Sequence, residues 1–448
     1  MISDLAQSDP ARYGIDGRTA SQIAASVEGA VTAGTLAAGD RLPSVRRLAE
    51  ALAVSPATVA SAFRTLRQRG VLVTRERSGA RISGRPPLAF RPEPHVPSGA
   101  VDLASGNPDP ALLPRLSPAL ARIEPSGLLY GDHAIDPRLR AQAEASLSAS
   151  GVPASHIAVV GGAMDGVERV LGAHLQPGDQ VLVEDPGYHA VLDLVRAMAL
   201  VPRPVPLDAE GALPDALARA LTPQARALVL TPRAQNPGGS AVTAERAIAL
   251  REVMQRADGV LVVEDDHAGG VAGAPHHPVA PAAGRWAVIR SVGKSLGPDL
   301  RLAVLAADAE TAGRIEGRQR LGTGWVSHLL QRMVATLWED PQVRARVQAA
   351  SEAYGQRRAA LLSALVAQGI TAQGASGLNV WIPVREEETV VTGLLGRGWA
   401  VRAGERFRLD SPAAVRVTTS ALTAADATRF AADLAAVLHA SHGRTHPA

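Results

Sequence analysis

Two hydrophobic patterns follow one another along this chain. Up to about residue 84, apolar positions recur at helical spacing in short runs broken by turn residues. Ile23, Val27 and Val31 mark one face of a helix over residues 18–34, and Gly39-Asp40-Arg41-Leu42-Pro43 reads as a turn. Ser44 is placed to cap a helix over Val45–Ala53, whose apolar face is Val45, Leu48, Ala49 and Leu52. Ser55 caps the next helix, Pro56 suits its first position, and it runs to about Arg69, where Gly70 ends it. That helix turns Thr58, Ser61, Arg64 and Thr65 outward. Val71–Val73 and Ala80–Ile82, on either side of Gly79, predict a small hairpin. Helix, helix, turn, helix and hairpin together predict a winged helix-turn-helix.

From about residue 100 the pattern becomes short apolar strands alternating with helices. The predicted strands are Ile157–Val160, Gln180–Glu184, Ala227–Leu230, Gly259–Glu264, Ala287–Val292 and Leu302–Ala306, with helices such as Asp165–Leu175 and Ala244–Ala257 between them. This predicts an α/β domain with a mostly parallel sheet, in which ligands sit at the carboxyl ends of the strands. Residues 85–98 hold five prolines and no periodicity, so they read as a semi-rigid linker. The expected organisation is a reader over 1–84, a linker over 85–98, a large domain over 99–440 and a flexible tail over 441–448.

Charge sharpens this division. Arg41 to Arg85 contains ten arginines opposed only by Glu50 and Glu76, whereas the whole chain of 448 residues carries a net charge of +3. A concentrated basic module joined to a mildly acidic remainder implies double-stranded DNA as a partner, with the third helix in the major groove and the wing along the backbone. With no cysteine in the chain, disulfides, thiolate catalysis and Cys-based zinc sites are excluded. No apolar run approaches the roughly 18 residues of a membrane span and no signal pattern opens the chain, so the expected location is the cytoplasm, with no membrane partner.

The chain has 45 arginines and one lysine, Lys294. Arginine cannot lose its proton at working pH, but a lysine amine can, and it can form a Schiff base. Lys294 lies in the run Ser291-Val292-Gly293-Lys294-Ser295-Leu296-Gly297-Pro298-Asp299-Leu300-Arg301, beyond a predicted strand, with Ser291 and Arg301 available for a phosphate. Another strand ends in Glu264-Asp265-Asp266-His267, where a period of two puts Asp265 and His267 on one face and Asp266 on the other. No further His or carboxylate is spaced to complete a metal site, so none is expected. Gly161-Gly162-Ala163 opens a helix whose N–H groups suit a phosphate, and Asn236-Pro237-Gly238-Gly239 either turns the chain or presents an amide. A Schiff-base lysine, an acid for a pyridinium nitrogen and a phosphate pocket together describe pyridoxal 5′-phosphate chemistry.

The run Gly39 to Ala49, with Val54-Ser55, Thr58-Val59 and Gly70, resembles the GntR regulators; the family's usual arginine after the turn serine is replaced here by Pro56. That resemblance implies DNA contacts from Arg41, Ser44, Arg46 and Thr58, with Arg77 or Arg81 on the wing. Tyr130-Gly131-Asp132, Pro177-Gly178-Asp179, Glu184 to Tyr188, Asn236-Pro237, Glu264 to Asp266, Ser291 to Arg301 and Arg416-Val417-Thr418 resemble fold-type I aminotransferases. The fusion resembles the MocR subfamily, and Thr231–Pro237 and Trp286–Arg301 are similar to its PtsJ group, associated with vitamin B6 metabolism.

The resemblance implies that Lys294 forms the Schiff base, Asp265 pairs with the pyridine nitrogen, Asn236 bonds the ring hydroxyl and Tyr188 stacks on the ring. Ser291, Arg301 and the amides near Gly162 and Ala163 would hold the phosphate. Tyr130 would reach the phosphate of the other subunit in a head-to-tail homodimer, and Arg416 would bind an effector carboxylate. Two departures stand out. His267 replaces the usual Tyr and is expected to titrate near neutrality, and Gly293 replaces the hydroxyl residue before the lysine. The leading expectation is a regulator that senses pyridoxal phosphate or an amino compound reacting with it. The alternatives are an aminotransferase with a vestigial reader, and a regulator that no longer binds the cofactor.

Overall fold

The computed structural model describes residues 14–32, 35–37, 39–68, 71–75, 79–82, 96–123 and 129–442. Backbone packing divides the chain into two compact units, the first holding Met1–Pro92 and the second nearly all of residues 93–448. The first is built on α1 (Ala20–Thr32), α2 (Val45–Leu52), α3 (Pro56–Gln68) and an antiparallel hairpin of β1 (Leu72–Arg75) and β2 (Gly79–Ile82). The expected caps form: Ser44 Oγ accepts from the Arg47 N–H at 3.4 Å and Ser55 Oγ from the Thr58 N–H at 3.1 Å. Ile23, Val27, Leu48, Val59, Phe63 and Leu66 close one core with Leu72 and Ile82 of the hairpin. The predicted stop at Gly70 lies outside the described residues.

From Val101 onward the chain runs through β3 (Val101–Asp102), α4 (Ser117–Leu120), α5 (Pro137–Ser148), β4 (Ile157–Val160), α6 (Ala163–His174), β5 (Gln180–Asp185), α7 (His189–Ala197), β6 (Val201–Asp208), β7 (Gly211–Ala212), α8 (Pro214–Ala220) and β8 (Ala225–Leu230). It continues through α9 (Ala244–Gln255), β9 (Leu261–Asp266), β10 (Arg285–Ser291), β11 (Ala303–Ala307), α10 (Ala309–Arg320), α11 (His328–Glu339) and α12 (Pro341–Ala367). The large sheet has the order β4-β11-β10-β9-β8-β5-β6-β7. Strands β5, β8, β9 and β10 run parallel, while β11 is antiparallel to both of its neighbours, β10 and β4. Two reversals cancel, so β4 points the same way as β10. Strands β4, β9 and β11 are buried along their whole length, as a sheet covered on both faces requires.

A smaller subdomain completes the chain, with β12 (Asn379–Pro383), α13 (Glu387–Leu395), β13 (Trp399–Ala400), β14 (Arg402–Ala403), β15 (Ala414–Thr418) and α14 (Ala424–His442). Its antiparallel sheet β12-β15-β14 packs through Val380, Ile382, Val415 and Val417 against Leu361, Leu394, Phe430 and Leu434. Helix α14 continues to His442, two residues into the expected tail, because Phe430, Leu434 and Val437 anchor it on this core. Residues 443–448 lie outside the described residues. No helix among the described residues is long and apolar enough to cross a membrane.

Candidate functional site

The strand directions decide where the chemistry meets. Strands β4, β5, β8, β9 and β10 all end at one edge of the sheet. Gly162, Tyr188, Asn236, His267 and Lys294 come within a few residues of those five ends. Five separate stretches of sequence therefore converge, as doubly wound sheets arrange for ligands.

Strand β9 runs to Asp266, beyond the predicted end at Glu264, so both aspartates lie inside it and are buried. Alternation then separates their partners. Asp266 takes two hydrogen bonds from Arg233, at 2.8 and 2.9 Å, and one from Arg290 at 2.7 Å. These guanidinium groups outweigh burial and hold its carboxyl well below the usual range. Glu264, on the same side, accepts from His276 at 2.8 Å and from the Val279 and Ala280 N–H groups. His276 Nδ1 lies 2.9 Å from Arg290 and closes the network. Asp265 faces the other way. Its Oδ1 is buried and has no partner among the described residues. Burial, then the neighbouring Asp266, pushes its carboxyl up to about 7.

Lys294 Nζ donates to the Gly106 carbonyl at 2.6 Å. Burial, then Arg416, lowers its amine to about 8. His267 does not titrate near neutrality as expected: burial and the Lys294 charge push it down to about 4, so it is a neutral imidazole at working pH. Tyr188 packs on the Trp381, Phe407 and Ala414 cluster, and burial, with Asp265 as the second cause, raises its hydroxyl.

Arg301 has a left-handed backbone, φ 38°, and its guanidinium lies against Gly162. Gly162 itself has φ 104°, and a Cβ there would come within 3.2 Å of Arg301 Nη2. Ala163 opens α6 directly after it. Ser291 Oγ accepts from the Gly293 N–H at 3.2 Å, so the glycine that lacks a hydroxyl still joins this loop through its backbone.

Arg416, on β15, donates to Asn236 Oδ1 at 3.1 Å and to the Ala104 carbonyl, and it stacks 4.9 Å from the Phe407 ring centre. Burial, then Arg402 directly opposite on β14, lowers it to about 9. Tyr130 stands apart. It is 95% exposed, and its ring meets Trp325 at 5.7 Å.

In the first unit Arg41, Ser44 and Arg46 are exposed and Thr58 is half-buried, with its hydroxyl 2.8 Å from Ser55 Oγ. Ser61 and Thr65 are also half-buried, so Arg64 is the fully outward member of that expected face. Arg81 donates to the Gly39 carbonyl at 2.9 Å and pairs through its backbone with Arg41, which ties the wing to the turn before α2. Arg77 lies outside the described residues.

Residues 98–434 match the family model for aminotransferase class I and II, and residues 19–82 match that for bacterial regulatory proteins of the GntR family. The chain is 41% identical over 425 residues to the vitamin B6 salvage pathway transcriptional repressor PtsJ of Salmonella typhimurium, covering 94% of this chain and 98% of that one. The chain belongs to the MocR-type regulators of the GntR family. The regulator is also 28% identical over 279 residues to the probable rhizopine catabolism regulatory protein MocR of Rhizobium meliloti, covering 55% of this chain and 56% of that one. Its large unit has the fold of LysN, the α-aminoadipate aminotransferase of Thermus thermophilus solved with N-(5′-phosphopyridoxyl)-L-leucine. The TM-score is 0.67 at 23% identity, covering 77% of the regulator and 94% of LysN.

No sequence pattern assigned a role to His276, Arg233 or Arg290, which form the buried network behind Asp265. Arginines scattered through an arginine-rich chain carry no local signal. Only the register of β9 against β10, which sets Asp266 opposite Arg290, brings them together.

Proposed function

We propose that this regulator binds DNA through residues 1–84 and pyridoxal 5′-phosphate through residues 99–440, joined by a linker over 85–98. Its effector is the cofactor itself or an amino compound that reacts with it. The observation that carries this is Asp265 Oδ1, buried without a partner among the described residues, at the edge where Lys294 also lies. A lone buried carboxylate oxygen is costly unless a donor arrives, and a protonated pyridine nitrogen is such a donor.

When bound, the cofactor supplies an aldehyde that exchanges amines and a ring that draws electrons. Lys294 offers the amine for attachment, and its lowered pKa makes the neutral form far more accessible near neutrality than in an ordinary lysine. Asn236 and His267 serve the ring hydroxyl, and Tyr188 covers the ring. Ser291, Arg301 and the amides at Gly162 and Ala163 hold the phosphate. Arg416 takes the carboxylate of an amino compound, leaving its contact with Asn236. Arg41, Ser44, Arg46 and Thr58 contact DNA, with Arg81 and Arg77 on the wing. Exposed Tyr130 completes the phosphate site of the other subunit in a head-to-tail homodimer. By analogy with the Salmonella repressor, the regulated genes serve vitamin B6 metabolism.

The test is the near-visible absorption spectrum with added pyridoxal phosphate, for wild type and Lys294→Arg. A band present in wild type and absent in the variant supports the cofactor and its lysine; no band in either overturns the reading. DNA binding with and without the cofactor then tests regulation. Turnover with amino acid and keto acid pairs would support the aminotransferase reading instead.

A further inference from the structure

Arg233 and Arg290, the two side chains that hold Asp266, line a cavity of about 650 Å³. Arg233, Arg290, Ser146, Ser150, Ser351 and Glu352 line it, and Gly269, Gly270 and Gly273 leave it without bulky walls on one side. Its volume falls in the range of small-molecule sites, roughly 300–1,000 Å³.

The donors here are not all used. Arg290 spends its five N–H groups on Asp266, Ser146, Ser150 and His276. Arg233 spends three, two on Asp266 and one on the Ala274 carbonyl. Among the described residues its other two N–H groups have no acceptor, and its side chain is 13% exposed. Ser146 Oγ accepts from Arg290 and keeps its own proton to give. Ser351 Oγ has no partner among the described residues. Two guanidinium groups share one carboxylate, Asp266. The opposing charge in the lining is Glu352, which is exposed and accepts from Gln348 at 2.8 Å.

We propose that this cavity is a second ligand site, for the phosphate group of a small phosphorylated molecule, with Arg233 as its anchor. A tetrahedral oxyanion offers several acceptors at once, and it matches the paired N–H groups of an arginine joined by two serine hydroxyls. The volume exceeds that of a bare ion and leaves room for an organic body. Arg233 lies three residues before Asn236, and the Asp266 it holds is the neighbour of Asp265. An anion that draws on Arg233 thereby reaches both ring-contacting residues without entering the cofactor edge. The site does not depend on cofactor binding.

The full chain is titrated with inorganic phosphate, sulfate and glycerol 3-phosphate at constant ionic strength, read by thermal melting and by ³¹P line broadening for the phosphorus probes. Arg301→Ala weakens the phosphate site at the cofactor edge, so binding that survives it and falls in a carboxylate variant reports the cavity. Ser351→Asp and Gly355→Glu each bring a carboxylate into it. Gly355 is a second test in case Ser351→Asp fails to fold, because a Cβ there meets nothing within 4 Å. The expected result is phosphate binding retained in Arg301→Ala, tighter binding of glycerol 3-phosphate, and affinity lowered about tenfold or more in each carboxylate variant. Binding abolished by Arg301→Ala, binding unchanged in a folded carboxylate variant, or no binding by any probe would overturn the proposal.

Discussion

Arg416 and Asn236 are bonded to each other, Nη1 to Oδ1 at 3.1 Å, although 180 residues separate them. One is the expected carboxylate partner and the other the expected ring-hydroxyl partner. An amino compound that engages Arg416 must compete with Asn236, so the two residues act as a unit. Arg416→Ala and Asn236→Ala should be non-additive in amino-compound affinity, with a coupling of about 0.5–3 kcal/mol. A double-mutant cycle read by absorbance titration measures it; strict additivity would show that the contact is incidental.

Lys294 is held at about 8, below an ordinary lysine, chiefly by burial. Its protonated form is therefore disfavoured in the folded chain. That cost is present in full below about 8 and disappears above the unfolded value of about 10.4. Lys294→Met should raise the melting temperature near neutral pH, and the gap to wild type should close as pH rises through that window. Melting curves across pH decide this.

Asp265 has the opposite sign. Its carboxyl sits at about 7 against an unfolded value of about 3.9, so ionisation costs the fold more as pH rises between those values. Ligand-free Asp265→Asn should lose less stability than wild type from acid to neutral pH, yet bind pyridoxal phosphate more weakly. Denaturant titrations at several pH values and a cofactor titration separate the two effects. Equal pH slopes would mean that Asp265 is not the group responsible.

Gly162 combines φ 104° with a guanidinium where a Cβ would go. Gly162→Ala should cost about 1–3 kcal/mol of strain and displace Arg301. Stability and pyridoxal phosphate affinity should fall together, while DNA affinity without cofactor stays unchanged.

In the reader, Arg46 is exposed on α2 and has no ion pair among the described residues. If it neutralises a phosphate, Arg46→Ala should weaken binding to all sequences alike and reduce the slope of log affinity against log salt by about one. Loss at one operator alone, with the slope unchanged, would mark a base contact instead.

The reader was legible because its signals are local. Ser44 and Ser55 each cap a helix through an N–H three residues on, and the hairpin sits beside its own glycine. Strand boundaries in the large domain were less legible, above all at β9. Two aspartates read as the end of a buried strand, yet they continue it, because Arg233 and Arg290 neutralise Asp266 inside the fold.

Residue order alone settles which chemical groups the chain carries and where along it they fall: one lysine in a glycine-flanked loop, an acidic strand end, an arginine near the C-terminus. It could not determine which charges share an environment, since that depends on strands adjacent in space and distant in sequence. The order β10-β9-β8 set Asp266 between Arg290 and Arg233, left Asp265 Oδ1 without a partner among the described residues, and drew His276 into a buried network. Burial then moved Lys294, Asp265 and His267 away from their ordinary titration, an effect of desolvation that exists only once the chain has closed around them.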